Sequence, residues 1–310
     1  MLGKIIMTIL MLAILTLSLF AVYQNAPRSP IKLTATQLIP NETAIIEYGA
    51  VPVFAKNLRF NHKVISYAID NSCSQTRKNA MLEAFLLFSN EMKIISFYET
   101  GGNADIDIGC SDDYIELGEN LFAAGEGGPS RIINTSLFKT IEKGKIWIYD
   151  DPRCNYPTVE IHELLHVFGF DHSPDPNNIM YNTSSCDQRI SKDMIELINK
   201  LYSIEALADA KIDELNATKK GRYLDFNISV LNEGLWGIDN ITLTITADGR
   251  EIQTIDIGEI DIGYGRTLRA ENVKLPTRNI KKIEFIIDKE NTIKELNKDN
   301  NFMEMAVDSQ

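Results

Sequence analysis

The most informative stretch for chemistry is "TVEIHELLHVFGFDH", which runs from residue 158 to residue 172. The protein has four histidines, and three of them, His162, His166 and His172, lie in this stretch. Imidazole nitrogen is a preferred ligand of zinc, and three protein ligands leave a fourth coordination position open. The residue types and their spacing therefore indicate a catalytic metal site rather than a structural one.

A helix is expected to carry the first two histidines. Apolar residues recur at helical spacing and form one stripe: Ile161, Leu164, Leu165 and Phe168. His162 and His166 are four residues apart on a different face, so both rings can reach one ion. We expect Thr158 to be the N-cap. Gly169 can adopt the left-handed conformation that ends a helix, which lets the chain turn back and bring His172 to the same ion.

Glu163 directly follows the first of these histidines. Its carboxylate can reach a water molecule beside the ion without being a ligand, so we predict that it is the general base. The alternative is an ordinary helix with three surface or core histidines. The fixed offsets of the glycine and the third histidine, in a chain whose only other histidine is His62, argue against that alternative.

The pattern HExxHxxGxxH resembles the zinc signature of the metzincin metalloproteases. These proteins have a methionine turn after the third histidine, and "NIMY" places Met180 eight residues after His172. Ser173 and Tyr181, which follow these two residues, resemble the matrixin (peptidase M10-like) branch. The resemblance implies an apolar floor formed by Met180 beneath the metal. It also implies that Tyr181 and Asn182 form a wall of the primed-side substrate pocket.

The resemblance covers about residues 58 to 205 and implies an α/β (α+β) zincin catalytic domain with one catalytic zinc, a peptide or protein as substrate, and Glu163 as base. Astacins differ by a glutamate at the position of Ser173 and a tyrosine at the position of Asn182, so that branch is disfavoured. Many matrixins hold a second, structural zinc through extra histidines, for which this sequence offers only His62. The acidic segment 111–113 could bind Ca²⁺, although a solvated loop is the stronger interpretation.

Four cysteines allow three disulfide connectivities. The segment "PRCN" is similar to the cysteine switch of matrixin propeptides, but Cys154 lies inside the catalytic domain, eight residues before His162. We therefore favour a Cys154–Cys186 disulfide that clamps the histidine region, with Cys73–Cys110 as the second bridge.

The ends of the chain differ in character from its middle. Residues 5–23 carry no charged side chain, so we predict a signal peptide or membrane anchor over 1–25. Residues 26–57 contain four prolines and are expected to form a linker, stalk or short pro-segment. Strand and helix patterns then define the catalytic domain over 58–206, in which "GEGGPS" (125–130) is expected to be a loop. An even number of cysteines fits a secreted or cell-surface protein, anchored if the segment is uncleaved.

A polar boundary is expected over 206–220, followed by a domain over 221–310. Short alternating runs and a turn at Asp248–Gly249 predict an all-β, immunoglobulin-like sandwich there. "VLNEG" and "IIDKENTIKELNKDNN" resemble the CARDB modules of prokaryotic surface proteins. The resemblance implies docking, spacing or substrate presentation at the cell surface. The closing aspartates and asparagines are expected to form turns and caps, with cation binding as the alternative.

Charge excludes one class of partner. The net charge is −12, both halves of the chain are acidic, and neither carries a basic stripe, so the protein is not expected to bind nucleic acid. The sequence predicts an exported or membrane-anchored zinc-dependent metalloendopeptidase. Two alternatives stay open: a non-enzymatic surface adhesion protein with a metalloprotease-like domain, and a zinc amidase of cell-wall peptides.

Overall fold

The computed structural model describes residues 2–25, 30–37, 46–113, 115–118 and 121–307. Its four helices are α1 (Leu2–Asn25), α2 (Gln75–Met92), α3 (Thr158–Val167) and α4 (Lys192–Ser203). The strands before α3 are β1 (Ile31–Gln37), β2 (Leu58–Arg59), β3 (Val64–Ile69), β4 (Ser96–Glu99), β5 (Ile106–Cys110), β6 (Glu116–Gly118), β7 (Leu121–Phe122), β8 (Gly125–Asn134) and β9 (Lys139–Ile148). The strands after α4 are β10 (Ala210–Lys220), β11 (Tyr223–Asn232), β12 (Ile238–Ala247), β13 (Arg250–Ile260), β14 (Gly265–Lys274), β15 (Lys282–Ile287) and β16 (Phe302–Ala306).

The chain divides into two compact units. One contains residues 44–207, with 234–236, and is called the α/β domain below. The other contains residues 208–233 and 237–310 together with β1, and is called the β domain.

Helix α1 contains an apolar segment, Lys4–Tyr23, with a mean hydropathy of 2.7. Its described side chains are exposed, so this apolar segment is not buried in the core of either domain. At 1.5 Å per residue, 20 residues span about 30 Å, the thickness of the hydrocarbon core of a bilayer. The helix is therefore long and apolar enough to cross a membrane.

The sheet of the α/β domain has the strand order β2-β9-β5-β3-β4, and all four of these pairings are parallel. Strand β8 is antiparallel to β9 and pairs with no other described strand, so it is an edge strand. Helices α2, α3 and α4 bury their apolar faces in one core with the sheet. This arrangement confirms the α/β class predicted for the domain.

The buried guanidinium of Arg59 caps the C-terminal end of helix α4. The Arg59 side chain is 1% exposed, and its Nη1 donates to the carbonyls of Leu201 and Ile204 at 2.6 and 2.8 Å. The last carbonyls of a helix have no partner within the helix and attract positive charge. Arg59 thus satisfies the C-terminal end of α4 inside the core.

Residues 125–130, predicted to be a loop, instead form the first part of β8. The prediction was wrong because glycine normally weakens a strand, whereas here glycine is needed where β8 passes α3. A Cβ atom on Gly127 would lie 2.1 Å from the carbonyl oxygen of Glu163, and one on Gly125 would lie 2.7 Å from its Cγ. Only glycine allows this close approach.

The predicted linker over 26–57 also differs from the structure. Residues 26–29 and 38–45 lie outside the described residues, but 31–37 form β1 of the β domain. Beyond them, Ile46, Val51 and Ala55 are buried in the core of the α/β domain. The four prolines suggested a linker, and the alternation of residues 31–36 is too short to indicate a strand by itself.

The β domain contains eight strands in the order β13-β12-β15-β16-β1-β10-β11-β14. Strand β1 pairs with β10 through residues 31–33 and with β16 through residues 34–37, so it joins two groups of antiparallel strands. The division between the two units falls at 207/208, inside the predicted boundary of 206–220. The β domain starts there rather than at the predicted residue 221, since 210–220 form β10, whose alternation is broken by a bulge between Ile212 and Glu214. The all-β class is confirmed, while the immunoglobulin-like sandwich stays a prediction.

Two disulfides are present, Cys73–Cys110 and Cys154–Cys186, which is the pairing favoured above. The first joins the start of α2 to the end of β5. The second closes a loop with a sequence separation of 32 residues, and this loop contains all of α3.

Candidate metal centre

Helix α3 begins and ends close to the predicted positions. Thr158 is its first residue and Pro157 its N-cap, so the expected N-cap was one residue too late in the chain. Gly169 has a φ of +93°, the left-handed conformation that was expected of it. A Cβ there would also lie 2.8 Å from Cδ2 of Leu58, so glycine suits the position on two counts. The turn directs the chain back toward the histidine face of the helix.

The three histidines converge in the structure. Ligand nitrogens of His162, His166 and His172 all lie within 4.8 Å of one another. The Nε2 atoms of His162 and His166 are 3.1 Å apart. His162 is buried, His166 is half-buried and His172 is exposed. The cluster therefore faces a surface that solvent and substrate can reach.

Hydrogen bonds fix the tautomers of two rings. Nδ1 of His162 lies 2.6 Å from the carbonyl oxygen of Ile179, and Nδ1 of His166 lies 2.8 Å from that of Phe170. A carbonyl oxygen only accepts, so each Nδ1 carries the proton and each Nε2 presents a lone pair.

Two lone pairs that face each other at 3.1 Å repel unless a cation lies beside them. Nitrogens bound to one zinc at about 2.0–2.1 Å and tetrahedral angles lie about 3.3–3.4 Å apart. The spacing of His162 and His166 is close to this value. The cluster can therefore hold a metal ion.

Burial keeps these rings in the form that binds metal. It lowers the pKa of His162 to about 4 and also lowers the pKa of His166. Near neutral pH both rings are therefore uncharged, and neutral imidazole is the ligand form.

Glu163 lies on α3 beside the cluster, and its side chain is almost completely buried. Burial, and then the charges of Glu126 and Glu160, raise its pKa to about 8, while a hydrogen bond from the Gly127 backbone opposes the rise. A cation held by the histidines would favour the ionised carboxylate.

Sequence reasoning missed Glu126 and Tyr149. The Tyr149 hydroxyl donates to Oε2 of Glu126 at 3.0 Å, and burial raises the pKa of Tyr149 to about 12. Glu126 lies on β8, inside the stretch that was predicted to be a loop. Glycines two residues apart, at 125 and 127, were the available sign of a strand pressed against a helix.

The cluster opens into a cleft of about 850 Å³. Its walls come from β8, the segment 150–156, α3 and the segment 182–186. Asn182, predicted as a pocket wall, lines this cleft. Tyr181 is half-buried and forms an isolated bridge with Ser173 instead. Both residues of the Cys154–Cys186 disulfide also line the cleft.

Met180 is fully buried in the core of the α/β domain. Its carbonyl accepts from the Ser173 backbone at 2.7 Å, and the carbonyl of the preceding residue, Ile179, orients the His162 ring. The methionine turn thus positions a ring of the cluster through its backbone. The apolar floor beneath a metal stays a prediction.

Two other predicted features lie away from the cluster. His62 contacts Asp105, with its Nε2 3.1 Å from Oδ2. Within the segment 111–113, Asp112 is 93% exposed and forms an ion pair with Arg77 at 2.9 Å. This pairing fits the solvated-loop interpretation better than a calcium site.

Comparison with known proteins agrees with this geometry. The family model described as Matrixin matches residues 59–203, and the CARDB model matches residues 207–305. Stromelysin-2 of Rattus norvegicus is 26% identical over 187 residues. That match covers 56% of this chain and only 38% of the relative.

A crystal structure of a CARDB domain from Pyrococcus furiosus, solved in complex with di-metal ions, is also similar. It is 17% identical, with a TM-score of 0.25, and the match covers 33% of this chain and 90% of that one. The protein therefore contains a matrixin domain over residues 59–203 and a CARDB domain over residues 207–305.

Proposed function

We propose that the protein is an exported or membrane-anchored, zinc-dependent metalloendopeptidase. The observation that carries the proposal is the pair of Nε2 lone pairs of His162 and His166, 3.1 Å apart, with His172 and the Glu163 carboxylate beside them in one open cleft. Three nitrogen ligands and an accessible position are typical of catalytic zinc.

The roles of the residues follow from their positions. His162, His166 and His172 would hold the zinc. When bound, zinc supplies a Lewis acid that polarises a peptide carbonyl and lowers the pKa of water. Glu163 accepts the proton of the attacking water and returns it to the leaving amine, which splits the peptide bond. Its burial excludes competing solvent from the proton transfer.

The substrate is expected to be an extended peptide bound along β8. This strand pairs on one side only, among the strands that the structure describes, so its outer backbone groups can receive another strand. Main-chain hydrogen bonds then supply affinity independently of the substrate sequence. The glycines at 125 and 127 keep β8 close to α3 and therefore keep such a peptide close to Glu163.

The proposal places the enzyme outside the cytoplasm and gives the β domain a docking role. Helix α1 would target or anchor the protein, and the two disulfides suit an oxidising compartment outside the cytoplasm. The β domain would dock the enzyme to cell-surface components or hold it at a distance from them. We assign no chemistry to this docking function.

The test is a peptide-library digest combined with metal analysis of the full chain. Glu163→Gln is expected to keep one zinc per chain and to lose peptidase activity by about 10²–10⁴-fold, because the base is removed without changing the ligands. Glu196→Gln, an exposed glutamate of α4, is the control and should leave both measurements unchanged.

Equal cleavage by wild type and Glu163→Gln would refute the assigned base. One zinc per chain without hydrolysis of any peptide by the wild type would favour the adhesion alternative. Hydrolysis confined to cell-wall peptides would favour the amidase.

A further inference from the structure

A second set of buried polar side chains lies in the β domain. Asp209 is 0% exposed, Asn300 4% and Asn301 5%, and the side chain of Glu295 is 0% exposed. We call these four residues the oxygen cluster. They join the start of β10 to the segment that leads into β16. The closing residues were expected to form turns and caps, and Asp288 and Asn297 do so by accepting from the Thr292 and Asp299 backbones. Asn300 and Asn301 instead have buried side chains.

Hydrogen bonds fix the orientation of both amides. Nδ2 of Asn300 donates to Oδ1 of Asp209 at 3.1 Å, and Nδ2 of Asn301 donates to Oε1 of Glu295 at 2.9 Å. The second oxygen of Glu295 accepts from the Ala210 backbone at 2.7 Å. A carboxylate only accepts, so neither amide can be turned around without losing its bond.

This arrangement leaves three oxygens without a donor: Asp209 Oδ2, Asn300 Oδ1 and Asn301 Oδ1. Among the residues that the structure describes, only one other buried side-chain polar atom, Oγ1 of Thr140, is unpaired. More than about 90% of buried polar groups in proteins have a partner, and an unpaired one costs about 1–3 kcal/mol. Three in one cluster indicate a partner other than these side chains.

Lys298, which forms an ion pair with Glu295 of the cluster, does not supply that partner. The Lys298 ammonium lies 3.0 Å from Asp288 Oδ2 and 3.7 Å from Glu295 Oε1, on oxygens other than the three unpaired ones. Asp209 instead has negative neighbours. Burial, reinforced by the charges of Glu295 and Glu233, raises the pKa of Asp209 to about 6, while hydrogen bonds from the Asn300 amide and the Asn297 backbone oppose the rise.

The missing partner has a defined chemistry. All three unpaired atoms are oxygens, one from a carboxylate and two from amides, and no histidine or cysteine belongs to the cluster. Carboxylate and amide oxygens are ligands of Ca²⁺, which accepts six to eight of them in flexible geometry. Transition metals prefer nitrogen or sulfur, and Mg²⁺ requires a stricter octahedron.

We propose that the oxygen cluster is a Ca²⁺ site in which Asp209, Asn300 and Asn301 contribute side-chain ligands. The ion links β10, near the start of the β domain, to the segment before its last strand, and so stabilises the domain. Extracellular calcium sites commonly have dissociation constants of about 10⁻⁴–10⁻³ M, which suits a domain that is fully stable only outside the cell. The inference does not depend on zinc or on peptidase activity.

The test uses the full chain with zinc bound and with Glu163→Gln as background, which prevents self-cleavage. Calcium-free protein is titrated with CaCl₂, and separately with MgCl₂, by calorimetry and by thermal unfolding. We expect one Ca²⁺ per chain and an upward shift of about 4–8 °C in the unfolding of the β domain. MgCl₂ is expected to give a smaller shift.

Asp209→Asn keeps the shape of the side chain and removes its charge, so it should weaken Ca²⁺ binding at least tenfold. If that variant does not fold, Asn301→Ser provides the same measurement. The control is Asp113→Asn, in the exposed acidic segment 111–113, and it should bind Ca²⁺ like the background protein.

Three results would overturn the proposal. One is no response to Ca²⁺ up to about 10 mM, ten times the weakest typical extracellular constant, which would assign the oxygens to ordered water. Another is unchanged affinity in Asp209→Asn and in Asn301→Ser. The third is loss of binding in Asp113→Asn alone, which would move the ion to the acidic segment.

Discussion

The histidine cluster of the α/β domain and the oxygen cluster of the β domain both contain lone pairs that no hydrogen-bond donor satisfies, but they differ in ligand type and in access to solvent. Two lone pairs face each other in the first, and three buried oxygens lack a hydrogen-bond donor in the second. The first uses nitrogen and opens into a cleft of about 850 Å³, whereas the second uses oxygen and is almost completely buried. Donor type decides which ion each can hold, and access decides whether the ion can meet a substrate.

The carboxylates of Asp105 in the α/β domain and Asp209 in the β domain have pKa values shifted in opposite directions. Asp105 accepts from the backbone and the hydroxyl of Ser66 at 2.7 and 2.6 Å, and its Oδ2 also lies 3.1 Å from Nε2 of His62. Its burial would raise its pKa, but these hydrogen bonds lower it. Asp209 has too few donors, and its pKa is raised to about 6. Asp105 has more hydrogen-bond donors and is also less buried, with 23% of its side chain exposed against 0% for Asp209, and both differences lower its pKa relative to that of Asp209.

The strongest test of the contrast removes one nitrogen ligand. His166→Ala is expected to reduce bound zinc from one equivalent to none and to abolish hydrolysis, because two remaining rings hold zinc too weakly. Metal analysis after dialysis provides the measurement. His62→Ala, which removes the fourth histidine of the chain, should retain full zinc. Loss of zinc in the control would show that the cluster is incomplete as described.

Selective chelators should separate the two sites. 1,10-Phenanthroline, which prefers transition metals, is expected to stop hydrolysis without lowering the unfolding temperature of the β domain. EGTA removes Ca²⁺ but also binds zinc, so the treated protein is desalted and given back one equivalent of ZnCl₂. We then expect a lowered unfolding temperature of the β domain with hydrolysis intact. At one hundred times the dissociation constant, bound Ca²⁺ contributes about 2.7 kcal/mol. If either chelator affects both readouts equally, the two sites are not independent.

The close packing of β8 on α3 gives a third prediction. Gly127→Ala would place a Cβ 2.1 Å from the Glu163 carbonyl, so strand or helix must move. We expect a loss of about 2–3 kcal/mol in the free energy of unfolding, together with reduced hydrolysis. Gly128→Ala is the matched control, because its Cβ meets nothing within 4 Å. Equal effects of the two substitutions, measured by denaturant unfolding, would contradict the packing argument.

The smallest expected effect concerns the stability of the fold at acid pH, to which Asp105 contributes. The folded pKa of Asp105 lies below its unfolded value of about 3.9, so the carboxylate stabilises the fold above that pH. This contribution is lost as the pH falls through the folded pKa. Asp105→Asn should therefore lower stability by about 1–2 kcal/mol near pH 7 and flatten the decline below pH 4. An unchanged pH profile would remove Asp105 from the acid response.

The parts of the fold that were predicted correctly rest on local patterns. The convergence of the three histidines was predicted from their spacing, because four residues make slightly more than one helical turn and place His162 and His166 on one face. The role of Glu163 as base stays a prediction. Disulfide pairing was favoured correctly from proximity to that motif. The errors concerned strands β1, β8 and β10. Prolines flank the short alternation of β1, glycines and a proline lie within β8, and a bulge interrupts the alternation of β10.

These strands form because neighbouring strands supply their hydrogen bonds, and such pairing outweighs a low intrinsic strand propensity. A similar reason explains why Glu126 and Tyr149 were missed, since their contact spans 23 residues. The oxygen cluster is more extreme, because the bond between Asn300 and Asp209 spans 91 residues.

By itself, the sequence determined which three histidines could hold a metal ion, the helical face that presents two of them, and the apolar segment at the start of the chain. Each of these depends on residues within a turn or two of one another. Only the tertiary structure decided which carbonyls set the histidine tautomers, which glycines of β8 allow α3 to pack closely, and which buried oxygens lack hydrogen-bond donors. Those properties depend on where distant backbone groups lie, and a hydrogen bond is made or lost over a few tenths of an ångström.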